Sequence, residues 1–230
     1  MHTSAPHPHR FRPFILIGLL FIRAATPGFA QPAVATRDDG EGWALVSKTE
    51  KLAIYSRLRK DSGIHEIKAV GLIESAPAVA KRVLDDTEEY PRFMPYVTES
   101  RVLSRKGDTF IGYQRLSMPF VSDRDYTMRI HCQTWRGADG GTCYCHRWEA
   151  ANELGPAEKS GVARVRINEG SWLLEPVNGG RHTRATYTLF SDSGGRLPAQ
   201  LINAANRTAI PKLFDSIRQQ AKKEKYLAEK

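Results

Sequence analysis

A long succession of strand segments that ends in one long helical segment is the feature that most limits how this chain can fold. Between residues 97 and 191, apolar and β-branched segments alternate with the turn sequences KGD (106–108), ADGG (138–141) and NGG (178–180), which predicts an antiparallel meander. From Pro198 onward, apolar or small residues recur at helical spacing: Leu201, Ala204, Ala205, Thr208, Ala209, Leu213 and Ile217. We expect this helix to bury its apolar side across the concave face of the sheet, which is an α+β architecture.

The segment before the meander predicts two strands and a helix. Residues 52–58 and 64–73 have strand composition and are separated by the turn sequence RKDSG. Ser75 is the expected N-cap of the helix that follows. Residues 42–49 are interpreted as a short helix, and Pro211 is expected to kink or split the C-terminal helix.

The N-terminus carries the pattern of a cleavable signal peptide, residues 1–30. Arg10 and Arg12 precede the apolar run FILIGLLFI, and Gly28 and Ala30 are the small residues that a signal peptidase reads. A transmembrane helix needs roughly 20 apolar residues, about twice this run. We expect cleavage after Ala30 and a periplasmic or secreted protein; an uncleaved anchor and a buried helix are the alternatives.

Composition divides the remaining chain into a flexible segment (31–41), one domain (42–222) and a charged tail (223–230). The net charge of +9 becomes +6 without the signal peptide, which holds Arg10, Arg12 and Arg23 and no acid. A moderately basic surface suits transient contact with an anionic membrane, whereas export argues against a nucleic-acid partner. We expect a monomer.

No catalytic motif is recognisable in the sequence. It contains no GxSxG, no glycine-rich phosphate loop and no HExxH. We therefore expect no enzyme, no cofactor and no metal. An enzyme alternative would need a titratable pair in the interior, and His146 and Glu169 are its candidates.

The three cysteines, Cys132, Cys143 and Cys145, flank the ADGG turn of one predicted hairpin. In an exported protein Cys132 is expected either to form a disulfide with Cys143 or Cys145, or to remain a thiol like them. A zinc site that uses the flanking His131 and His146 is disfavoured, because the paired CxxC spacing is missing.

Two polar side chains on neighbouring predicted strands suggest a ligand site. Gln114 and Arg124 flank the loop at 118–123, and pairing of the two strands would bring them together. A buried arginine needs a partner or a ligand group. The alternative is a surface ion pair of Arg124 with Asp123 or Asp125.

Aromatic residues follow on the later strands. Trp148, Trp172 and Tyr187 combine an apolar body with a polar tip, which suits an amphipathic ligand. Ordinary core packing accounts for each of them equally well.

The stretch at 88–130, EEYPRFMPYVTESRVLSRKGDTFIGYQRLSMPFVSDRDYTMRI, resembles the START family of lipid-transfer domains. Pro119, Arg124, Asp125 and Tyr126 stand at the positions of its P-x-x-x-x-R-D-Y motif. The segments EGSWLLEP, TRATYTL, GGRLP and N-x-x-x-x-x-x-I-P follow in the order that the family has. The resemblance covers about residues 42–220.

The resemblance implies a helix-grip fold, a curved antiparallel β-sheet wrapped around a long C-terminal α-helix that closes a lipid cavity. The implied function is to bind a lipid or other hydrophobic molecule and carry or present it. The cavity residues expected on this basis are Gln114, Leu116, Arg124, Tyr126, Met128, Trp148, Trp172, Tyr187, Leu201 and Ala205. The implied gate is the loop with Met118, Pro119, Phe120 and Val121, together with the C-terminal helix.

One departure from the family pattern bears on the ligand. Some members pair a buried acid with the motif arginine, but the acid position is Gln114 here. Neutral Gln114 cannot neutralise Arg124, so Asp125 or an anionic ligand group is expected to do so. This favours a ligand with a phosphate or carboxylate. An enzyme of cyclase or hydrolase type and a non-catalytic ligand-sensing module are the alternative functions.

Overall fold

The computed structural model describes residues 42–59, 62–192 and 199–228, without the side chains of 199–203, 205 and 206. The strands are β1 Ala44–Lys48, β2 Leu52–Leu58, β3 His65–Ile73, β4 Val97–Lys106, β5 Thr109–Leu116, β6 Asp123–Arg136, β7 Thr142–Ala150, β8 Val162–Arg164, β9 Ile167–Val177 and β10 His182–Asp192. The helices are α1 Pro77–Asp85, α2 Ala199–Gln220 and α3 Glu224–Leu227, with 3₁₀ turns at Thr87–Arg92 and Asn152–Leu154. The predicted signal peptide and the segment 31–41 lie outside the described residues.

The strands form one sheet in the order β1-β2-β3-β10-β9-β7-β6-β5-β4, and neighbours along this order run antiparallel. The short strand β8 pairs in parallel with the start of β6. The predicted α+β class, with a long C-terminal helix on a large antiparallel sheet, is confirmed. In the described part of the chain, no helix combines the length and the apolar character needed to cross a membrane.

The second half of α2 fixes the helix to the sheet. Ile210, Phe214 and Ile217 are buried there, and the Phe214 ring lies 5.2 Å from the Trp172 ring, measured between centroids. Full burial of such side chains contributes about 1.5–3 kcal/mol each. Arg218 adds hydrogen bonds from its guanidinium to the carbonyl oxygens of Leu72 (2.9 Å) and Lys51 (2.6 Å). Of Ile210, Phe214 and Ile217, only Ile217 belongs to the helical pattern of apolar and small residues recognised in the sequence.

The short helix predicted at 42–49 is wrong, because strand pairing overrides the local signal. Residues 42–49 are not helical but form β1, which pairs with β2 through an irregularity between Leu45 and Ser47 that breaks the alternation of a strand. Pro211 lies within one helix, so α2 is not split. Within the charged tail, α3 buries Tyr226, whose hydroxyl donates to Asp86 Oδ2 at 2.9 Å.

Of the two alternatives expected for the cysteines, a disulfide or free thiols, the structure has free thiols. All three are free thiols, and Cys132 is registered opposite His146 on β7. Side chains alternate between the faces of a strand, so Cys143 and Cys145 point away from the face that carries His146. Cys132 therefore shares a sheet face with His146 and not with the other two thiols.

We expect Gly71→Ala to lower the free energy of unfolding by about 1–3 kcal/mol through overpacking. A methyl group at this position would lie 2.5 Å from Phe214 Cε1, so α2 would have to move away from β3. Urea unfolding measures the change. Phe214→Leu removes the obstructing ring, so the double variant should be less destabilised than the sum of the two single variants. Strict additivity would contradict close packing of α2 at Gly71.

Candidate functional site

A cavity of about 800 Å³ lies between α2 and the inner face of the sheet. Its wall comes from β4–β7, β9, β10, the end of α1 with the 3₁₀ turn that follows it, the loop after β5 and the middle of α2. The volume falls within the range of roughly 300–1,000 Å³ that is typical of ligand pockets. The helix therefore covers the sheet without filling the space beneath it.

The predicted site residues whose side chains are described all line this cavity: Gln114, Leu116, Met118, Pro119, Phe120, Val121, Arg124, Tyr126, Met128, Trp148, Trp172 and Tyr187. The side chains of Leu201 and Ala205 lie outside the described residues. Contact of these residues with a ligand stays a prediction.

Arg124 is a buried charged residue of the cavity wall. It is 3% exposed. Its Nη1 donates to the carbonyl oxygen of Ser122, and its Nε is buried without a hydrogen-bond partner in the described ranges. No carboxylate of those ranges makes an ion pair with it, and burial lowers the pKa of its guanidinium. The site thus holds a desolvated cation whose hydrogen-bonding capacity is only partly used.

The two acids named as possible partners of Arg124 are engaged elsewhere, so neither the alternative surface ion pair nor neutralisation by Asp125 is found. Asp123 lies 2.7 Å from Arg115 Nη2. Asp125 is 1% exposed and pairs with Arg164, with Oδ1 2.7 Å from Arg164 Nε. The reason is strand alternation, because Arg124 faces the cavity while both neighbours face the other side of β6.

The Asp125–Arg164 pair links β8 to the start of β6 on the outer face of the sheet. Arg164 Nη2 also donates to the carbonyl oxygen of Pro156, and the hydroxyl of Tyr113 donates to Asp125 Oδ2 at 3.2 Å. Burial, followed by the Asp125 charge, raises the pKa of Tyr113 to about 12. The pair is structural, and its residues point away from the cavity.

A chain of polar groups crosses the cavity wall beside Arg124. Tyr126 donates from its hydroxyl to Gln114 Oε1 at 2.9 Å, and Trp148 donates from Nε1 to Asn168 Oδ1 at 3.3 Å. Burial raises the pKa of Tyr126, so its phenol stays protonated. No motif points to Asn168, although alternation along β9 from Trp172 places it on the inner face.

Aromatic rings form another part of the wall. The Tyr187 ring lies 4.6 Å from Trp172 and 5.8 Å from Trp148, measured between centroids. Trp148 can lie flat against β9 because its partner there is Gly170, where a Cβ would come within 2.5 Å of the indole. Burial raises the pKa of Tyr187, which keeps this surface uncharged.

The loop after β5 and α2 both contribute to the wall of the cavity. Phe120 lines the cavity and is nevertheless fully exposed, in a left-handed backbone conformation with φ 66°. Thr208 and Leu213 of α2 line the same cavity. Both predicted gate elements therefore line the cavity, and their role as a gate stays a prediction.

The titratable pair proposed for an enzyme does not form. His146 lines the cavity, but Glu169 faces the opposite side of the sheet and pairs with Arg59. One group in the described ranges has the chemistry of a metal site: Asp85, Cys132 and His146. Burial lowers the pKa of His146, and burial with the Asp85 charge raises the pKa of the Cys132 thiol to about 11.

The sequence matches, over residues 74–218, the family model described as polyketide cyclase / dehydrase and lipid transport. This chain belongs to that family. Human phosphatidylcholine transfer protein is 29% identical over 187 residues, which cover 79% of this chain and 82% of the relative. The bovine protein of the same name is 25% identical over 191 residues, or 82% of this chain and 86% of the relative.

Solved structures show the same fold. The STAR-related lipid transfer protein of Xanthomonas axonopodis superposes with a TM-score of 0.70 at 24% identity, over 80% of this chain and 100% of that chain. Human StAR-related lipid transfer protein 5 superposes with a TM-score of 0.67 at 16% identity, over 81% of this chain and 89% of that chain.

The predicted START-type fold is confirmed by these comparisons, and lipid binding and transport is confirmed at the level of the family. The family description also names cyclases and dehydrases. The expectation that this chain is not an enzyme therefore stays a prediction.

We expect Asp125→Ala to lower the free energy of unfolding by about 3–5 kcal/mol, because it leaves the buried Arg164 without its partner. Chemical denaturation measures the loss. Glu158→Ala is the matched control, since it breaks an exposed arginine–carboxylate pair and should change stability little. Equally small effects of both variants would show that the buried pair does not hold β8 in place.

Proposed function

We propose that this protein binds a phospholipid in its cavity and carries it between membranes, with Arg124 holding the phosphate. The observation that carries the proposal is the buried guanidinium of Arg124, which lines the cavity and has no carboxylate partner in the described ranges. Burying an uncompensated charge is costly. A phosphate oxygen at Nε would satisfy the orphaned donor and neutralise the cation.

Phosphate is a better match to this site than a neutral head group. The guanidinium offers several donors in one plane, which suits the oxygens of a phosphodiester. Neutral Gln114 in place of an acid leaves the positive charge available to the ligand. A sterol hydroxyl would leave that charge uncompensated.

The rest of the wall suits the remainder of a phosphatidylcholine molecule. Tyr126 lies two residues from Arg124 on the same strand face, about 7 Å away at the rise of a strand. Aromatic faces bind quaternary ammonium groups, and the Tyr187, Trp148 and Trp172 rings form one contiguous surface. Apolar walls stabilise the acyl chains by roughly 25 cal/mol per Å² removed from water. The relatives named phosphatidylcholine transfer protein support this choice of lipid.

Exchange of the lipid would take place at the mouth formed by the loop at 118–121 and α2. Phe120 projects into solvent beside the cavity, where it can enter the head-group region of a bilayer. We further propose that the mature protein acts in the periplasm or outside the cell, on the basis of the signal-peptide pattern at residues 1–30. Membranes facing that compartment would be donor and acceptor.

We expect Arg124→Gln to weaken phosphatidylcholine binding by roughly 10–100-fold, since a hydrogen bond to a charged group contributes about 1.5–3 kcal/mol. Binding of a fluorescent phosphatidylcholine measures the effect. Arg129→Gln is the control, because Arg129 lies on the same strand, faces outward and pairs with Glu149.

Diacylglycerol separates a head-group effect from damage to the cavity. Its affinity should be the same in the wild type and in Arg124→Gln, because it lacks the phosphate. Unchanged phosphatidylcholine affinity in Arg124→Gln would overturn the assignment of Arg124 to the phosphate.

We expect Phe120→Ser to slow transfer of phosphatidylcholine between vesicles several-fold while leaving its equilibrium affinity unchanged. The physical reason is that the exposed ring anchors the mouth to the bilayer and does not hold the bound lipid. A donor–acceptor vesicle assay measures the rate. Leu58→Ser, which changes an exposed apolar side chain on β2, is the matched control. Equal transfer rates for both variants would remove Phe120 from the exchange step.

A further inference from the structure

A cluster of three chemically distinct side chains lies at the end of the cavity beneath α1. Asp85 is the last residue of α1, Cys132 lies on β6, and His146 is directly opposite it on β7. Their ligand atoms all lie within 4.8 Å of one another. The three residues are far apart in sequence, so no spacing motif connects them.

The imidazole of His146 points at this cluster with an unused nitrogen. The side chain is 7% exposed, and Nε2 lies 3.2 Å from Asp85 Oδ1. Nevertheless, Nε2 has no hydrogen-bond partner among the described residues. A buried polar atom in this condition is rare and calls for a specific explanation.

From these positions we infer that Asp85, Cys132 and His146 form a binding site for one divalent metal ion of the zinc class. Carboxylate oxygen, thiolate sulfur and imidazole nitrogen together are a donor set that zinc takes readily. Bonds of about 2.0–2.3 Å in a tetrahedron place ligand atoms about 3.3–3.8 Å apart, so small side-chain movements close the cluster around an ion.

The mutual closeness of the three atoms distinguishes this arrangement from an acid–base relay. In a relay the histidine uses its two nitrogens on opposite sides, one towards the acid and one towards the nucleophile. Here a single ring nitrogen of His146 lies within 4.8 Å of both the Asp85 oxygen and the Cys132 sulfur.

The surroundings of Asp85 orient it for this role. Its Oδ2 accepts a hydrogen bond from Lys81, one turn earlier on α1, and this leaves Oδ1 directed at His146. Partners of this kind hold ligating carboxylates in many metal sites. A thiolate and a carboxylate together neutralise a divalent ion, so the occupied site adds no net charge to the interior.

Three protein ligands leave one tetrahedral position open, and His146 places the ion at the cavity wall. Water can fill that position. The ion would join α1 to the β6–β7 hairpin, and this effect is independent of any lipid.

The test is a cobalt(II) titration of the lipid-free, chelator-treated full chain, followed by zinc competition. We expect one equivalent of cobalt to give the thiolate charge-transfer absorption and the d–d bands of a tetrahedral site, and one equivalent of zinc to abolish them. Zinc should also raise the midpoint of thermal unfolding.

Cys132→Ser and His146→Gln should each remove the charge-transfer band or weaken cobalt binding at least tenfold. Cys145→Ser is the matched control, because this thiol lies on the same hairpin but on the other sheet face, and it should keep the wild-type spectrum. Thermal unfolding without metal reports whether each variant is folded.

Failure of folded wild-type protein to bind cobalt or zinc would overturn the proposal. It would equally be overturned if Cys132→Ser retained the charge-transfer band, or if Cys145→Ser lost it. None of these three results bears on phospholipid binding, because no lipid is present in the assay.

Discussion

Close packing of the Phe214 ring over Gly71 determines where the C-terminal helix can lie. The missing side chain at Gly71 lets the ring approach β3, and Arg218 ties the same half of α2 to backbone carbonyls of the sheet. With the helix fixed at that end, its middle spans the remaining inner face at a distance. The side chains on the inner face of the strands then line the enclosed space. Those of β5, β6 and β9 therefore determine which ligand can bind.

The R-D-Y motif shows how one strand can serve two purposes. Arg124 and Tyr126 face the cavity, whereas Asp125, between them, pairs with Arg164 on the other side of the sheet. The pair secures β8 to the start of β6, and it keeps the carboxylate away from the cationic site. Asp125 therefore holds the strand in place, whereas Arg124 and Tyr126 belong to the ligand cavity. Substitutions at neighbouring positions should affect different measurable properties.

Features set by local periodicity could be predicted from the sequence. Pairing of the two strands that flank the loop at 118–123 predicted that Gln114 and Arg124 lie close together, and the resemblance then added Leu116 and Tyr126 to a cavity there. Features set by contacts between distant segments could not. The parallel pairing that brings Arg164 to Asp125 leaves no local pattern, and the sequence left a surface ion pair of Arg124 open as an alternative.

The same limit applies to the metal cluster. The spacing of the cysteines suggested either a disulfide or free thiols, because strand register decides which side chains share a face. Register placed Cys132 opposite His146, and packing of α1 supplied Asp85. A metal-ligating residue on a separate helix has no regular sequence spacing from the other ligands, so no motif reveals it.

The uncompensated charge of Arg124 has a consequence for the direction of transport. If a phospholipid supplies the missing anion, the empty protein is the high-energy member of the carrier cycle. Release of a lipid into a membrane is then most favourable when another lipid takes its place during the same encounter. A carrier built in this way favours one-for-one exchange, which evens out the composition of two membranes, over net deposition of lipid in one of them.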